Sequence, residues 1–202
     1  MYQIILASGS PRRREIMEIM DIPYKVVTAD VDEVTKEKEP SKMVQALAKL
    51  KTNEVSSLTA ANTGDIRDII IIGADTMVFY QEHALGKPKN EADAARMLGM
   101  LSNDVHEVYT GVSILIYDSE SKKESISFAV CTKVYVQPLS TQQIMEYIAT
   151  GEPMDKAGAY GIQGKFGIYI KEIAGDYYNI VGFPIAQIYQ ALLHKGIDLK
   201  KL

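Results

Sequence analysis

The chain has 202 residues, of which only one is a cysteine and three are histidines, and it contains no long apolar run. The single Cys131 excludes a disulfide framework and a thiolate metal cluster, and its alternating surroundings predict a small buried side chain. The longest apolar run, Ile69 to Ile72 with its neighbours, is far too short to span a bilayer. The N-terminus does not resemble a signal peptide, because its apolar stretch is short and arginines follow it. We therefore expect a cytoplasmic protein without a membrane partner.

The chain also has no excess of basic charge, since 26 acidic residues outnumber 22 lysines and arginines. The net charge of −4 and the isoelectric point near 5.5 argue against a nucleic-acid partner, which would require a broad basic surface. Neither the Gly-x-x-x-x-Gly-Lys-Ser/Thr loop of P-loop NTPases nor the Gly-x-Gly-x-x-Gly signature of Rossmann-type cofactor enzymes is present. His83, His106 and His194 show no ligand spacing, so we expect surface or packing roles for them.

Strand-like and helix-like segments alternate along the chain, which predicts an α/β fold with helices on the faces of the sheet. With 47% apolar residues, the chain can bury the core of a single domain over residues 1–202, either one unit or two tightly joined lobes without a separable linker. Helical spacing predicts that Ile16, Ile19 and Met20, and later Met43, Leu47 and Leu50, face the core. The predicted strands cover residues 3–7, 24–29, 69–74, 108–117, 125–136 and 168–173. The predicted helices cover 11–20, 40 to about 56, 91–101, about 141–150 and 184–195, with 59–68 as a surface loop. Asn90 with Asp93 and Ser140 with Gln143 have the spacing of helix N-terminal caps.

The N-terminal segment has the features of an anion site. A short apolar strand runs into Ser8-Gly9-Ser10 and then Pro11, which suits the first position of a helix with Ser10 as its N-cap. Free N–H groups and the helix dipole meet at such a start. Arg12, Arg13 and Arg14 lie in the first turn, where the dipole disfavours cations. This arrangement predicts a bound anion, with phosphate as the leading candidate.

Two acidic positions are candidates for metal or water chemistry. Asp75 follows the strongest strand, and ligands of open α/β sheets bind beyond the carboxyl ends of strands. It would hold a divalent metal or orient a water, or alternatively cap a turn. Glu33 lies in the acidic run 30–33 and is a second candidate ligand, although such runs also form solvated loops.

Two lysines and two late loops complete the candidates. Lys49 and Lys51 lie two apart on a helix, so at most one reaches a phosphate. Lys87, between Gly86 and Pro88, suits a phosphate as a point charge. Residues 151–164 combine glycines with Gln163, whose amide can both donate to and accept from a base edge or a water. Residues 175–184 form a second such loop, which we expect to border the same cleft.

Together these segments resemble the Maf family of nucleoside triphosphate pyrophosphatases over nearly the whole chain. The matching segments are Leu6-Ala-Ser-Gly-Ser-Pro-Arg-Arg-Arg-Glu15, Asp32-Glu33, Leu47-Ala-Lys-Leu-Lys51, Gly73-Ala-Asp-Thr76, Leu85-Gly-Lys-Pro88, Tyr109-Thr-Gly-Val112 and the two late loops. One departure is Thr52, where the family usually has alanine.

The resemblance implies a role for each matching residue. Asp75 would be the catalytic residue that accepts a proton from water. The implied substrate-binding residues are Ser10, Arg12, Arg13, Lys51, Thr76, Lys87 and Gln163, of which Arg12, Thr76 and Gln163 would set specificity. Glu33 and Asp75 would hold a divalent cation, Mg²⁺ or Mn²⁺. The implied fold is an elongated mixed sheet flanked by helices, with two lobes around a central cleft, often as a homodimer.

The stretch Asp155 to Gln163 resembles the family branch that acts on dTTP and UTP. The implied reaction is hydrolysis to the monophosphate and pyrophosphate, with modified pyrimidine nucleotides as further substrates. A 7-methyl-GTP pyrophosphatase of the same family remains an alternative. A non-catalytic nucleotide-binding regulator linked to cell division remains another.

Overall fold

The computed structural model describes all of residues 1–202 and contains a seven-stranded mixed sheet. The strands are β1 (Gln3–Leu6), β2 (Lys25–Val26), β3 (Ile69–Tyr80), β4 (His83–Leu85), β5 (Val105–Tyr117), β6 (Lys123–Val136) and β7 (Ile170–Ala174). Their order is β2-β1-β3-β5-β6-β7, with β4 paired to β3. β1 is parallel to β2 and β3, whereas β3–β4 and β6–β7 are antiparallel. The predicted α/β class and mixed sheet are therefore confirmed.

Six helices and several short 3₁₀ turns connect the strands. The helices are α1 (Pro11–Ile19), α2 (Pro40–Thr63), α3 (Glu91–Leu101), α4 (Thr141–Ile148), α5 (Tyr177–Val181) and α6 (Ile185–Leu193). The 3₁₀ turns are Glu152–Asp155, Ala157–Ala159, Lys165–Tyr169 and Leu199–Lys201. The predicted caps at Asn90 and at Ser140 with Gln143 are both present. No helix combines the length and the apolar composition required to cross a membrane.

Helix α2 is longer than its sequence predicts. Residues 59–63, expected to be part of a loop, are the end of this helix. It ends at Thr63 and is followed by Gly64, whose backbone is left-handed and whose N–H donates to the carbonyl of Ala60. The hydroxyls of Thr59 and Thr63 donate to the carbonyls four residues earlier, so these polar side chains are satisfied within the helix. A polar composition therefore did not indicate a loop here.

Several predicted core positions are wrong. Ile19 is 67% exposed and Leu50 is 40% exposed, because they do not lie on the buried faces of their helices. In α1 the buried residues are Arg13, Ile16 and Met17. Cys131, predicted to be buried, is exposed on β6.

The chain divides into two compact units. Unit 1 comprises Met1–Asp75, Thr110–Ala129 and Gly182–Leu202, and unit 2 comprises Thr76–Tyr109 and Val130–Val181. Strands β3, β5 and β6 each contribute residues to both units. The prediction of one domain stays a prediction.

In unit 1, two glycines let α2 approach the sheet closely. A Cβ on Gly111 of β5 would lie 2.2 Å from the carbonyl carbon of Val44, and one on Gly73 of β3 would lie 2.6 Å from Cγ2 of Thr52. Neither position has room for a larger residue unless α2 moves away from the sheet. The close approach sets the distance between α2 and the residues of β3.

Candidate active site

Asp75 lies within β3 rather than beyond its end. The expectation that it follows the carboxyl end of a strand is wrong, because β3 continues to Tyr80 and pairs there with β4. Its parallel neighbour β1 does end close by, since Leu6 is opposite Ile72 in the register. Asp75 is therefore three residues past the position in β3 that pairs with the end of β1, but its own backbone is still part of β3. It is only 6% exposed.

Lys51 joins the two acidic candidates. Its ammonium Nζ lies 2.5 Å from Oδ1 of Asp75 and 2.9 Å from Oε1 of Glu33. The side chains of Lys51 and Asp75 are 18% and 9% exposed, whereas that of Glu33 is 56% exposed. Lys49 is exposed, as expected for a residue on another face of the helix. One ammonium thus holds both carboxylates, and hydrogen bonds between charged groups of this kind are short and strong.

The residue after Lys51 explains how the helix is held at this point. Thr52 is fully buried against Gly73, two residues before Asp75. Its hydroxyl lies 2.8 Å from the hydroxyl of Ser113 on β5, and sequence reasoning missed this pair. The hydroxyl of Thr52 is thus satisfied by a serine 61 residues away along the chain.

Arg13 is bound by protein groups. It is buried, its Nε donates to the carbonyl of Gly182 at 2.8 Å, and its Nη1 donates to the hydroxyl of Ser8 at 2.9 Å. Burial lowers the pKa of Arg13, while the negative charges of Asp75 and Glu33 act in the opposite direction. Ser8 is thus a partner of Arg13 that the sequence did not single out, although it lies inside the N-terminal motif.

Ser10 and Arg12 differ from Arg13. Ser10 occupies the N-cap position of α1, but its side chain makes no capping hydrogen bond, so that part of the prediction is wrong. Its N–H instead donates to the Ser8 hydroxyl at 3.2 Å. Arg12 is half-buried and has no hydrogen bond or ion pair within the protein. The start of α1 therefore presents a charged side chain that is available to a ligand.

The other candidates lie in unit 2. Thr76 follows Asp75 directly and is half-buried. Lys87, in the segment between β4 and α3, and Gln163, in the glycine-rich segment, are exposed. Neither Lys87 nor Gln163 forms a side-chain hydrogen bond or ion pair with the protein. The two segments are joined, since the N–H of Gly158 donates to the carbonyl of Gly86 at 3.1 Å.

The donor set limits how a metal could bind. No group of three or more His, Cys, Asp or Glu side chains is positioned to hold a metal ion. Glu33 and Asp75 offer two carboxylates, and Mg²⁺ is commonly bound by one or two carboxylates together with substrate phosphates. The residues fit a hard divalent cation whose remaining ligands are oxygens of a polyphosphate.

Comparison with known proteins places the chain in two steps, first by fold and then by family. The solved structure of a HAM1 protein from Coxiella burnetii aligns with a TM-score of 0.50 at 13% identity, covering 96% of this chain and 100% of that one. At this identity the likeness shows the fold alone. The family model for Maf-like proteins matches residues 3–195.

Similar curated proteins extend over the whole length. One from Lachnoclostridium phytofermentans is 47% identical over 201 residues, covering 100% of this chain and 99% of that protein. One from Alkaliphilus metalliredigens is 48% identical over 203 residues, covering 100% of both. One from Bacillus cereus strain AH187 is 42% identical over 200 residues, covering 98% of both. Each of the three is named dTTP/UTP pyrophosphatase. The chain belongs to the Maf family.

Proposed function

We propose that the protein is a nucleoside triphosphate pyrophosphatase that hydrolyses dTTP to dTMP and UTP to UMP, releasing pyrophosphate. Membership of the Maf family supports this, as do full-length relatives of that name at 42–48% identity. The observation that carries the chemistry is the buried Asp75, whose carboxylate is held by Lys51 next to Glu33. A carboxylate fixed in this way suits proton abstraction from a water.

In the proposed reaction, Asp75 accepts a proton from the water that attacks the α-phosphorus. The bond to the bridging oxygen of the β-phosphate breaks, and pyrophosphate leaves with that electron pair. Lys51 holds Asp75 in place and carries positive charge at the same point. Arg12 and Lys87 are unpaired cations suited to binding phosphate oxygens, and electrostatic positioning is most of what phosphoryl-transfer catalysis requires.

Arg13 and Ser10 have less direct parts in this scheme. Because Arg13 is bound to Ser8 and Gly182, we propose that it holds the start of α1 in place and adds positive charge there. Ser10 lies at the N-terminus of that helix, where N–H groups and the dipole favour a phosphate. Both would act on the triphosphate without touching the base.

Pyrophosphatases of the Maf family are generally metal-dependent. We propose that Glu33 and Asp75 hold the cation, Mg²⁺ or Mn²⁺, with substrate oxygens completing its coordination. When bound, a divalent cation supplies positive charge that offsets the charge of the phosphates. Since the chain provides only two carboxylates, we expect tight cation binding only in the presence of nucleotide.

We further propose that Arg12, Thr76 and Gln163 set nucleotide preference, with Gln163 bonding to a base edge through its free amide. Modified pyrimidine nucleotides would be further substrates. A homodimer, a cytoplasmic location and the absence of a nucleic-acid partner are expectations that belong to the same proposal.

The test is incubation of the purified protein with Mg²⁺ or Mn²⁺ and a panel of canonical and methylated nucleoside triphosphates. We expect pyrophosphate and monophosphate from dTTP and UTP, and loss of both products in Asp75→Asn. In water labelled with oxygen-18, the label should appear in the monophosphate, because attack occurs at the α-phosphorus. Activity on 7-methyl-GTP alone would overturn the substrate assignment, and nucleotide binding without turnover under either metal would overturn the reaction.

A further inference from the structure

A tyrosine and a glutamate of unit 2 hold the segment that carries Gln163. The hydroxyl of Tyr147, on α4, donates to Oε1 of Glu152 at 2.9 Å and accepts from the N–H of Gly161 at 3.3 Å. The other carboxylate oxygen of Glu152, Oε2, accepts from the N–H of Lys165 at 3.0 Å. The backbone is therefore anchored two residues before Gln163 and two residues after it.

The turn between these anchors leaves space that Glu152 fills. A Cβ on Gly164 would lie 2.1 Å from Oε1 of Glu152, so the carboxylate occupies the position of the missing side chain. The N–H of Gly164 donates to the carbonyl of Gly161 at 3.1 Å, which closes the turn around Gln163. Glycine at 164 and glutamate at 152 are thus one fitted pair.

The anchored turn lies next to a buried aromatic cluster. Phe166 is completely buried, and its ring centre lies 5.0 Å from that of Tyr147 and 4.9 Å from that of Tyr160. Tyr160 in turn is hydrogen-bonded to the buried His106 at 2.8 Å. The aromatic side chains beside the turn are buried, whereas the side chain of Gln163 is exposed and bonded to nothing in the protein.

We propose that Glu152 and Tyr147 are positioning residues for nucleotide selection. They fix the backbone on both sides of Gln163, so that its side chain starts from a fixed position when the base binds. A group on a fixed backbone loses less conformational freedom on binding than one on a mobile backbone, so its contact contributes more to the affinity for the nucleotide that it fits. The inference rests on the proposed function, since it assigns to Glu152 and Tyr147 an action through the base-reading role of Gln163.

The experiment compares kcat/KM for dTTP with kcat/KM for dATP in Glu152→Ala, Glu152→Gln, Gln163→Ala and the Glu152→Ala/Gln163→Ala double variant. We expect Glu152→Ala to lower this selectivity by about tenfold, the size of one lost polar contact, with a smaller change in kcat for dTTP. Glu152→Gln should keep most of the selectivity, because its amide oxygen can still accept from Lys165. In the Gln163→Ala background, Glu152→Ala should lower the selectivity no further.

Two further variants separate positioning from general damage. Glu172→Ala, an exposed glutamate on β7, should leave selectivity unchanged. Tyr147→Phe removes only the hydroxyl shared by Glu152 and Gly161, and should lower selectivity even if Glu152→Ala does not fold. Wild-type selectivity in Tyr147→Phe or in a folded Glu152→Ala would overturn the inference, as would additive losses in the double variant. A wild-type protein that releases no pyrophosphate from dTTP or UTP would instead overturn the proposed function.

Discussion

The candidate residues of unit 1 and those of unit 2 are prepared for a ligand in different ways. In unit 1, Lys51 is bonded to both Asp75 and Glu33, and Arg13 is bonded to Ser8 and Gly182. In unit 2, Lys87 and Gln163 are exposed and have no bonding partner in the protein.

The difference matches the different demands of chemistry and recognition. A group that accepts a proton must be in place before the reaction, so its geometry is set by the protein. A group that recognises a ligand can stay in solvent until the ligand arrives, provided that its backbone is held. The half-buried but unpaired Arg12 shows that unit 1 also keeps one side chain of the second kind.

The largest expected effect breaks the bonded set of unit 1. Asp75→Asn keeps an oxygen that can accept from Lys51 but removes the proton acceptor, so turnover should fall by about 10² or more while the fold is kept. Steady-state release of pyrophosphate measures the loss, and circular dichroism checks the fold. Asp30→Asn, in the acidic segment that also contains Glu33, is the control and should keep its activity. Near-wild-type turnover in Asp75→Asn would contradict the assignment.

The next prediction concerns the packed part of unit 2 and its response to acid. Burial lowers the pKa of His106 to about 4, while the negative charge of Asp104 acts in the opposite direction. The unfolded chain takes up this proton near pH 6.5, whereas the folded chain resists until about pH 4. The free energy of unfolding should therefore fall between these two values by about 3 kcal/mol, and be unaffected by this group above pH 7.

Denaturant unfolding at pH 7.5, 5.5 and 4.5 measures this dependence. His106→Asn should be less stable at pH 7.5 but should lose much less stability on acidification than the wild-type protein. His83→Asn, at an exposed position, should follow the wild-type curve. Equal acid sensitivity of the His106 variant and the wild-type protein would show that other groups dominate.

A smaller effect is expected from an unpaired cation of unit 2. Lys87→Ala should raise KM for dTTP by about tenfold with little change in kcat, because one charge-assisted contact to phosphate is lost and the bonded set of unit 1 is intact. Lys89→Ala, two residues away and also exposed, should leave both constants unchanged. If the two variants behave alike, Lys87 has no specific role in binding.

The smallest expected effect concerns the hydroxyl pair beneath Lys51. Thr52→Ala leaves the buried hydroxyl of Ser113 without its partner and should lower the free energy of unfolding by about 1 kcal/mol. Removing both hydroxyls, in Thr52→Ala/Ser113→Ala, should restore part of that loss, because no unpaired polar group then remains. Denaturant titration measures both, and a double variant less stable than the single one would argue against the explanation.

The sequence predicted the parts of the fold that depend on neighbours in the chain. The alternation of strands and helices, the caps at Asn90 and Ser140 and the start of α1 at Pro11 follow from local patterns, and the structure confirms them. The family motifs also identified the Maf family, as the family model confirms. Local patterns failed where polar side chains are satisfied in a helix, as at Thr59 and Thr63, and where a helix face is rotated, as at Ile19.

Tertiary structure alone decided how the candidate residues are combined. No local pattern predicted three of these combinations. They are the salt bridges from Lys51 to Asp75 and Glu33, the contact of Arg13 with Gly182, and the anchoring of residues 161–165 by Tyr147 and Glu152. Arg13 and Gly182 are 169 positions apart, so no periodicity or spacing connects them. Local sequence sets which backbone conformations are favourable, whereas the pairing of distant side chains depends on how closely the elements pack. In unit 1 that distance is set where α2 meets Gly73 and Gly111.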